Sequence, residues 1–288
     1  MNQYVIMTDS ACDIQPTLLE AWGVPFIPLM FRFDHMDHDF ADHEMPIQEF
    51  YQSMRDGHVA KTNAVNIDGF TEAFEPYLAQ GIDVLYLGFS SGLSATYMQS
   101  TLAAEELNKK YAGARVVTVD TLCASAGQGL LVKLAVDKKN AGATLDEVAA
   151  YVVDTRLHLA HWFTVEDLVY LKRGGRVSPA VALVGSMLSI KPILHVDDEG
   201  HLIKTGTVRG RKNSLKTLAD KLFESAEDVE GGVFFISHGD CEDDAKLLAD
   251  MLRERGANQV EVITTIGAVI GAHSGPGTMA LFFVAKQR

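Results

Sequence analysis

Apolar and polar positions follow two periods along the first half of the chain. Short apolar runs at residues 4–9, 24–33, 83–89 and 114–120 predict strands. Between them, apolar residues recurring three and four apart predict helices at 16–21, 45–55, 70–79, 94–110 and 128–140. Strand and helix in alternation is the pattern of a parallel sheet covered by helices. Thr144-Leu-Asp-Glu147 then reads as a capping box, in which each end residue satisfies the other's free amide, opening a helix to about residue 159.

The order changes beyond residue 160. A strand at 161–165 leads to a helix through Leu171, the turn Arg173-Gly-Gly-Arg176 and an apolar helix beginning near Pro179. Residues 191–196 and 201–208 alternate around Asp197-Asp-Glu-Gly200 as a hairpin, helices follow at 213–225 and 242–255, and strands at 231–238, 259–266 and 278–286 complete a sheet. The stretch 262–285 is uncharged and long enough to cross a bilayer, but its four glycines, Pro276 and His273 predict two strands around a glycine loop. The expected fold class is α/β: an N-terminal parallel-sheet α/β domain (1–160) and a C-terminal α+β domain (161–288). No linker or repeat separates them, so the cleft between them is the default ligand site.

Composition narrows the function. Of 288 residues, 47% are hydrophobic and 22% charged, proportions that exclude a disordered chain. Acids outnumber bases 38 to 25, and a net charge of −13 is repelled by phosphate backbones, which excludes nucleic acid as a partner. Three distant cysteines at no metal or redox spacing fit reduced thiols, and with no signal-like segment in the first ten residues the expected location is the cytoplasm.

Several segments carry candidate chemistry. Residues 34–44 hold three histidines and five acids, a composition able to chelate a divalent metal; the spacing matches no ligand motif, and a solvated acidic turn with no metal is the expectation. Gly88-Phe-Ser-Ser-Gly92 matches the nucleophile-elbow pattern, and Ser90 with His273 would make a serine hydrolase of acyl esters. Ser91-Gly-Leu-Ser94 delays the following helix, however, and favours ligand binding over covalent chemistry. Ser94 lies where the chain leaves a parallel strand for a helix, so free amides and the helix dipole favour an anion there. Thr62, in a polar loop before a helix, could offer the same anion a second hydroxyl or serve only as a turn residue. The glycine loop 267–277 presents His273, and the five bases from Lys204 to Lys216 form either a solvated face or a docking surface for an acidic or phosphorylated partner.

Taken together, Thr8-Asp-Ser10, Ser90-Ser-Gly-Leu-Ser-Ala-Thr-Tyr97, Val119-Asp-Thr121 with Gly127-Gln-Gly129, the 168–178 segment, Ile190-Lys-Pro-Ile-Leu194 and Ile270-Gly-Ala-His-Ser-Gly-Pro-Gly277 resemble the DegV family, in family order over nearly the whole chain. The resemblance implies a bacterial protein that binds a long-chain fatty acid between two domains, without a cofactor, as the acyl-carrying subunit of a fatty acid kinase in phospholipid metabolism. A separate ATP-using kinase subunit would be its partner, with transient contact at a membrane surface. The resemblance also implies carboxylate-holding hydroxyls at Thr62 and Ser94, a site histidine at His273, and a phosphoryl-transfer or partner-facing arginine at Arg209, with Arg173 as a second. The family usually has Ser-Gln-Pro or similar after the threonine, where this chain has Asn63-Ala64-Val65. A carboxylate held by hydroxyls and amides needs no arginine in contact, and no Walker-type phosphate loop is present.

Overall fold

A computed structural model describes residues 3–182 and 189–288. Four parallel strands, in the order Phe26–Ile27, Tyr4–Asp9, Asp83–Gly88 and Val116–Asp120, form the first sheet. Asp83–Gly88 is buried at every position, as a central parallel strand with both faces covered must be. A second sheet of six strands runs Leu202–Arg209, Ile190–Val196, Leu159–Thr164, Met279–Val284, Phe234–His238 and Val260–Thr265, and only its last pair is parallel. The domain division expected after residue 160 falls inside the Leu159–Thr164 strand.

The strand expected at 24–33 is two strands in different sheets. Phe26–Ile27 pairs with Thr8 and Asp9, whereas Met30–Phe33 joins Phe40–Ala41 and Ala60–Asn63 in a small antiparallel sheet. Pro28, with no N–H to give a ladder, marks the crossing, and the Leu29 amide is taken by the Ser10 hydroxyl at 3.0 Å. The glycine loop expected at 267–277 instead contains a helix, Ala268–Ser274, packed on the aromatic core of this small sheet. Of the apolar helix expected near Pro179, Pro179–Ala182 is helical and the remainder lies outside the described residues.

The helix Ala126–Asn140 lies between the two larger sheets. One core joins Ile6 and Leu85 of the first sheet, Leu130 and Leu131 of this helix, and Phe163 and Phe282 of the second. Its first half, residues 126–132, is buried on every side, as a helix segment between two sheets must be, and its charged residues gather in the second half. Arg211–Ser225 and Glu242–Arg253 cover the far side of the second sheet. Among the described residues no helix is long and apolar enough to cross a membrane.

Candidate functional site

The loops that leave the carboxyl ends of the parallel strands face the second sheet. Buried polar residues fix them. The Asp9 carboxylate accepts from the Tyr86 hydroxyl (2.6 Å) and the amides of Phe89 (2.9 Å) and Ala11 (3.1 Å), and the Thr8 hydroxyl donates to Leu87 O at 2.8 Å. The Ser90 hydroxyl donates to Gly200 O at 3.0 Å, so the loop docks on the hairpin turn of the second sheet. Gly92 permits the approach: a Cβ there would stand 2.8–2.9 Å from the carbonyls of Glu199 and Gly200. The elbow-like pattern is thus a docking loop. Ser90 is fully buried, lies outside the cavity and bonds Gly200, while His273 bonds Thr62; the structure does not assemble the hydrolase pair.

A cavity of about 270 Å³ opens between the sheets. Its walls are chiefly apolar, with Phe89, Leu93, Phe163, Val269 and Phe282 among them. His161, also in the wall, is held uncharged because burial pushes its pKa well below the usual range. Thr62, Ser94 and His273 all line this cavity, so the structure brings together three residues that lie far apart in sequence.

Thr62 sits on the strand Ala60–Asn63, opposite Phe31, and not in the polar loop expected. Its Oγ1 is 2.8 Å from His273 Nε2. His273 Nδ1 is buried with no partner, because the backbone of Gly174 covers it: a Cβ at Gly174 would lie 2.0 Å from that nitrogen. A buried orphan N–H is the costlier arrangement, so the hydrogen-bond network assigns the proton to Nε2. His273 then donates to Thr62, whose own O–H is free for the cavity. Burial, with the nearby positive Arg176 adding to it, pushes the His273 pKa down to about 4. Ser94 lies two residues before the helix Thr96–Lys110 and accepts from the Thr96 amide at 3.2 Å. Ala95, the helix's N-cap, makes no side-chain cap and also lines the cavity, leaving first-turn amides for an anion.

The basic residue in the wall is Arg176. The short helix Val169–Arg173 ends at Gly174 and Gly175, and the left-handed Gly175 (φ 73°) reverses the chain and turns Arg176 inward. Its guanidinium donates to Leu93 O through Nε (3.1 Å) and Nη2 (2.9 Å) and to Gly174 O through Nη1 (2.5 Å), and has no carboxylate partner among the described residues. Arg173 is exposed beside the Tyr170 ring. The sequence expected no arginine in contact with the carboxylate, whereas Arg176 stands in the cavity wall; Arg173, expected as a phosphoryl-transfer or partner-facing residue, is exposed and outside it. The Ser274 hydroxyl, also buried in the wall and without a partner among the described residues, is not among the residues expected from sequence. A second arginine after a two-glycine turn, and a serine next to the expected histidine, were the available signals.

Two further expectations meet the structure differently. Arg209 ends an outer strand, is exposed, lines no part of the cavity and has no ion pair among the described residues. Its neighbour Arg211 is engaged internally, by Asp244 at 2.8 Å and Cys241 Sγ at 3.3 Å, and so is not a free surface cation. Asn63 and Ala64, from the segment that departs from the familiar pattern, both line the cavity.

The family profile described as "Uncharacterised protein, DegV family" matches residues 3–286. The chain belongs to the DegV family. A DegV domain-containing protein of Clostridium perfringens is 43% identical over all of this chain and 99% of its own length. A DegV lipid-binding protein from Thermotoga maritima superposes with a TM-score of 0.87 at 30% identity, covering 99% of both chains. A fatty-acid-binding DegV family protein from Thermus thermophilus gives 0.88 at 29% identity, over 98% of this chain and 99% of that one. The DegV fold thus extends over both sheets and encloses the cavity.

Proposed function

We propose that this DegV protein binds one long-chain fatty acid, with the carboxylate among Thr62, Ser94 and Arg176 and the tail between the sheets. One observation carries the reading: an inward-facing arginine, with no acidic partner among the described residues, sits in the wall of a chiefly apolar cavity. A half-buried cation calls for an anion, and an apolar cavity calls for hydrocarbon, which contributes about 0.8 kcal/mol per buried methylene. The lipid and fatty acid binding of the Thermotoga and Thermus relatives supports the same ligand class.

The protein is then a carrier, presenting the carboxylate to a separate ATP-dependent kinase that forms acyl phosphate. Arg209, exposed and with no ion pair among the described residues, supports a partner-facing role outside the cavity. Phosphoryl transfer adds negative oxygens at the carboxylate, and cations lower that cost. Equilibrium dialysis of delipidated protein against labelled palmitate and its methyl ester tests the binding half: the acid should bind and the uncharged ester much less. Equal binding would remove the role assigned to Arg176. With a cognate kinase, Arg209→Ala should keep palmitate binding and lose acyl-phosphate formation. Normal acyl-phosphate formation by that variant would end the partner-facing assignment.

A further inference from the structure

The small antiparallel sheet carries a group of side chains that the fatty acid site does not use. Asp34 directly follows the strand Met30–Phe33, and His58 precedes its neighbour Ala60–Asn63. The ladder continues past the strand ends, because the Asp34 amide donates to Val59 O at 2.9 Å. Asp34 and the His58 segment are therefore held opposite each other. The Met36 amide donates to Phe33 O at 3.1 Å, closing a turn that brings His35 back, and the His35 ring packs on buried Phe33 at 5.5 Å between centroids.

The result is a convergence. Asp34 Oδ1 is 3.5 Å from Nδ1 of His35 and 3.5 Å from Nδ1 of His58, and the two imidazoles lie 3.8 Å apart. All three candidate donor atoms lie within 4.8 Å of one another. Donors bound 2.0–2.2 Å from one ion stand about 3–3.5 Å apart, so only a small closure is required. The side chains are 46% (Asp34), 37% (His35) and 42% (His58) exposed, which leaves the outer coordination positions to water.

We propose that Asp34, His35 and His58 form a binding site for a divalent transition ion such as Zn²⁺. Two imidazoles and one carboxylate select zinc and its neighbours over Mg²⁺ or Ca²⁺, which favour all-oxygen sets. The ion would staple the turn after Met30–Phe33 to the start of the strand that carries Thr62. Sequence spacing hides the site because His58 lies far from the 34–44 cluster.

Calorimetric titration of untagged, EDTA-treated full-length protein with Zn²⁺ alone tests this. One ion per chain is expected, and removal of a ligand should weaken binding by roughly tenfold or more, since even outer partners of metal ligands are worth that much. His58→Gln should show this loss, and the His35→Gln, His58→Gln double variant should abolish the site with unchanged circular dichroism. His201→Gln, which removes another exposed imidazole beside carboxylates, should leave binding intact. A wild-type protein that binds no zinc, a double variant that binds as wild type, or loss of binding in His201→Gln would overturn the assignment. Should the double variant unfold, Asp34→Asn gives the same reading: retained affinity there would equally overturn it.

Discussion

At the scale of single residues, the division of labour between two arginines three positions apart is the sharpest consequence of the structure. Arg176 faces the cavity and Arg173 faces solvent. A charge-assisted hydrogen bond is worth about 1.5–3 kcal/mol, so Arg176→Gln should weaken palmitate binding roughly tenfold to a hundredfold, while Arg173→Ala should leave it unchanged. Equilibrium dialysis on the two variants separates them, and unchanged palmitate binding in Arg176→Gln would restore the sequence expectation of a carboxylate held without an arginine. Gly174→Ala places a methyl group against His273 and should cost about 1–3 kcal/mol of stability together with ligand affinity. Urea unfolding of the variant that matches wild type would show that the ring does not need that space.

His273 also has a pH signature. Its folded pKa is about 4, against an ordinary value of about 6.5, so between these pH values the unfolded chain binds the extra proton. Its contribution to stability therefore falls as pH drops from about 6.5 to 4. His161, His195 and His238, all lowered first by burial, act in the same direction. In His273→Asn the slope of stability against pH across this window should become shallower by about one proton. Denaturant melts at several pH values measure it, and an unchanged slope would place the titration elsewhere.

At the scale of elements, legibility followed local pattern. The parallel strands were read because unbroken apolar runs ended in polar turns, and the helix Leu145–Thr155 because its capping box is local chemistry. Thr144 Oγ1 does accept from the Glu147 amide at 3.3 Å, and Glu147 returns to the Thr144 amide at 2.8 Å. Thr144→Ala should cost about 1 kcal/mol, a fall of about 2–4 °C in Tm for a chain of this size. A thermal melt that does not move would show that the cap is replaced by water.

The misread elements depend on distant partners. Ala60–Asn63 is a short polar strand that, among the described residues, pairs only with Met30–Phe33. The Ala268–Ser274 helix is short, carries Gly271 inside it and is flanked by Gly267 and Gly275, which local propensity counts against a helix. Its start is held instead by buried carboxylates, with Asp13 accepting from the Gly267 amide and Asp42 from the Ala268 amide, at 2.8 and 2.9 Å. Neither acid signals that role in sequence, being more than 220 residues away. Arg176 was hidden for a related reason, since which arginine turns inward depends on the left-handed Gly175.

At the scale of the whole molecule, the two sheets share one core across the Ala126–Asn140 helix, and the cavity lies where the loops of one sheet meet the face of the other. The central claim is that this space holds a fatty acid, and it is tested most directly by denaturing mass spectrometry of protein purified without delipidation. The account predicts a released free fatty acid close to equimolar with the chain. Purified wild-type protein that releases no acyl species, even after incubation with excess palmitate, would contradict it.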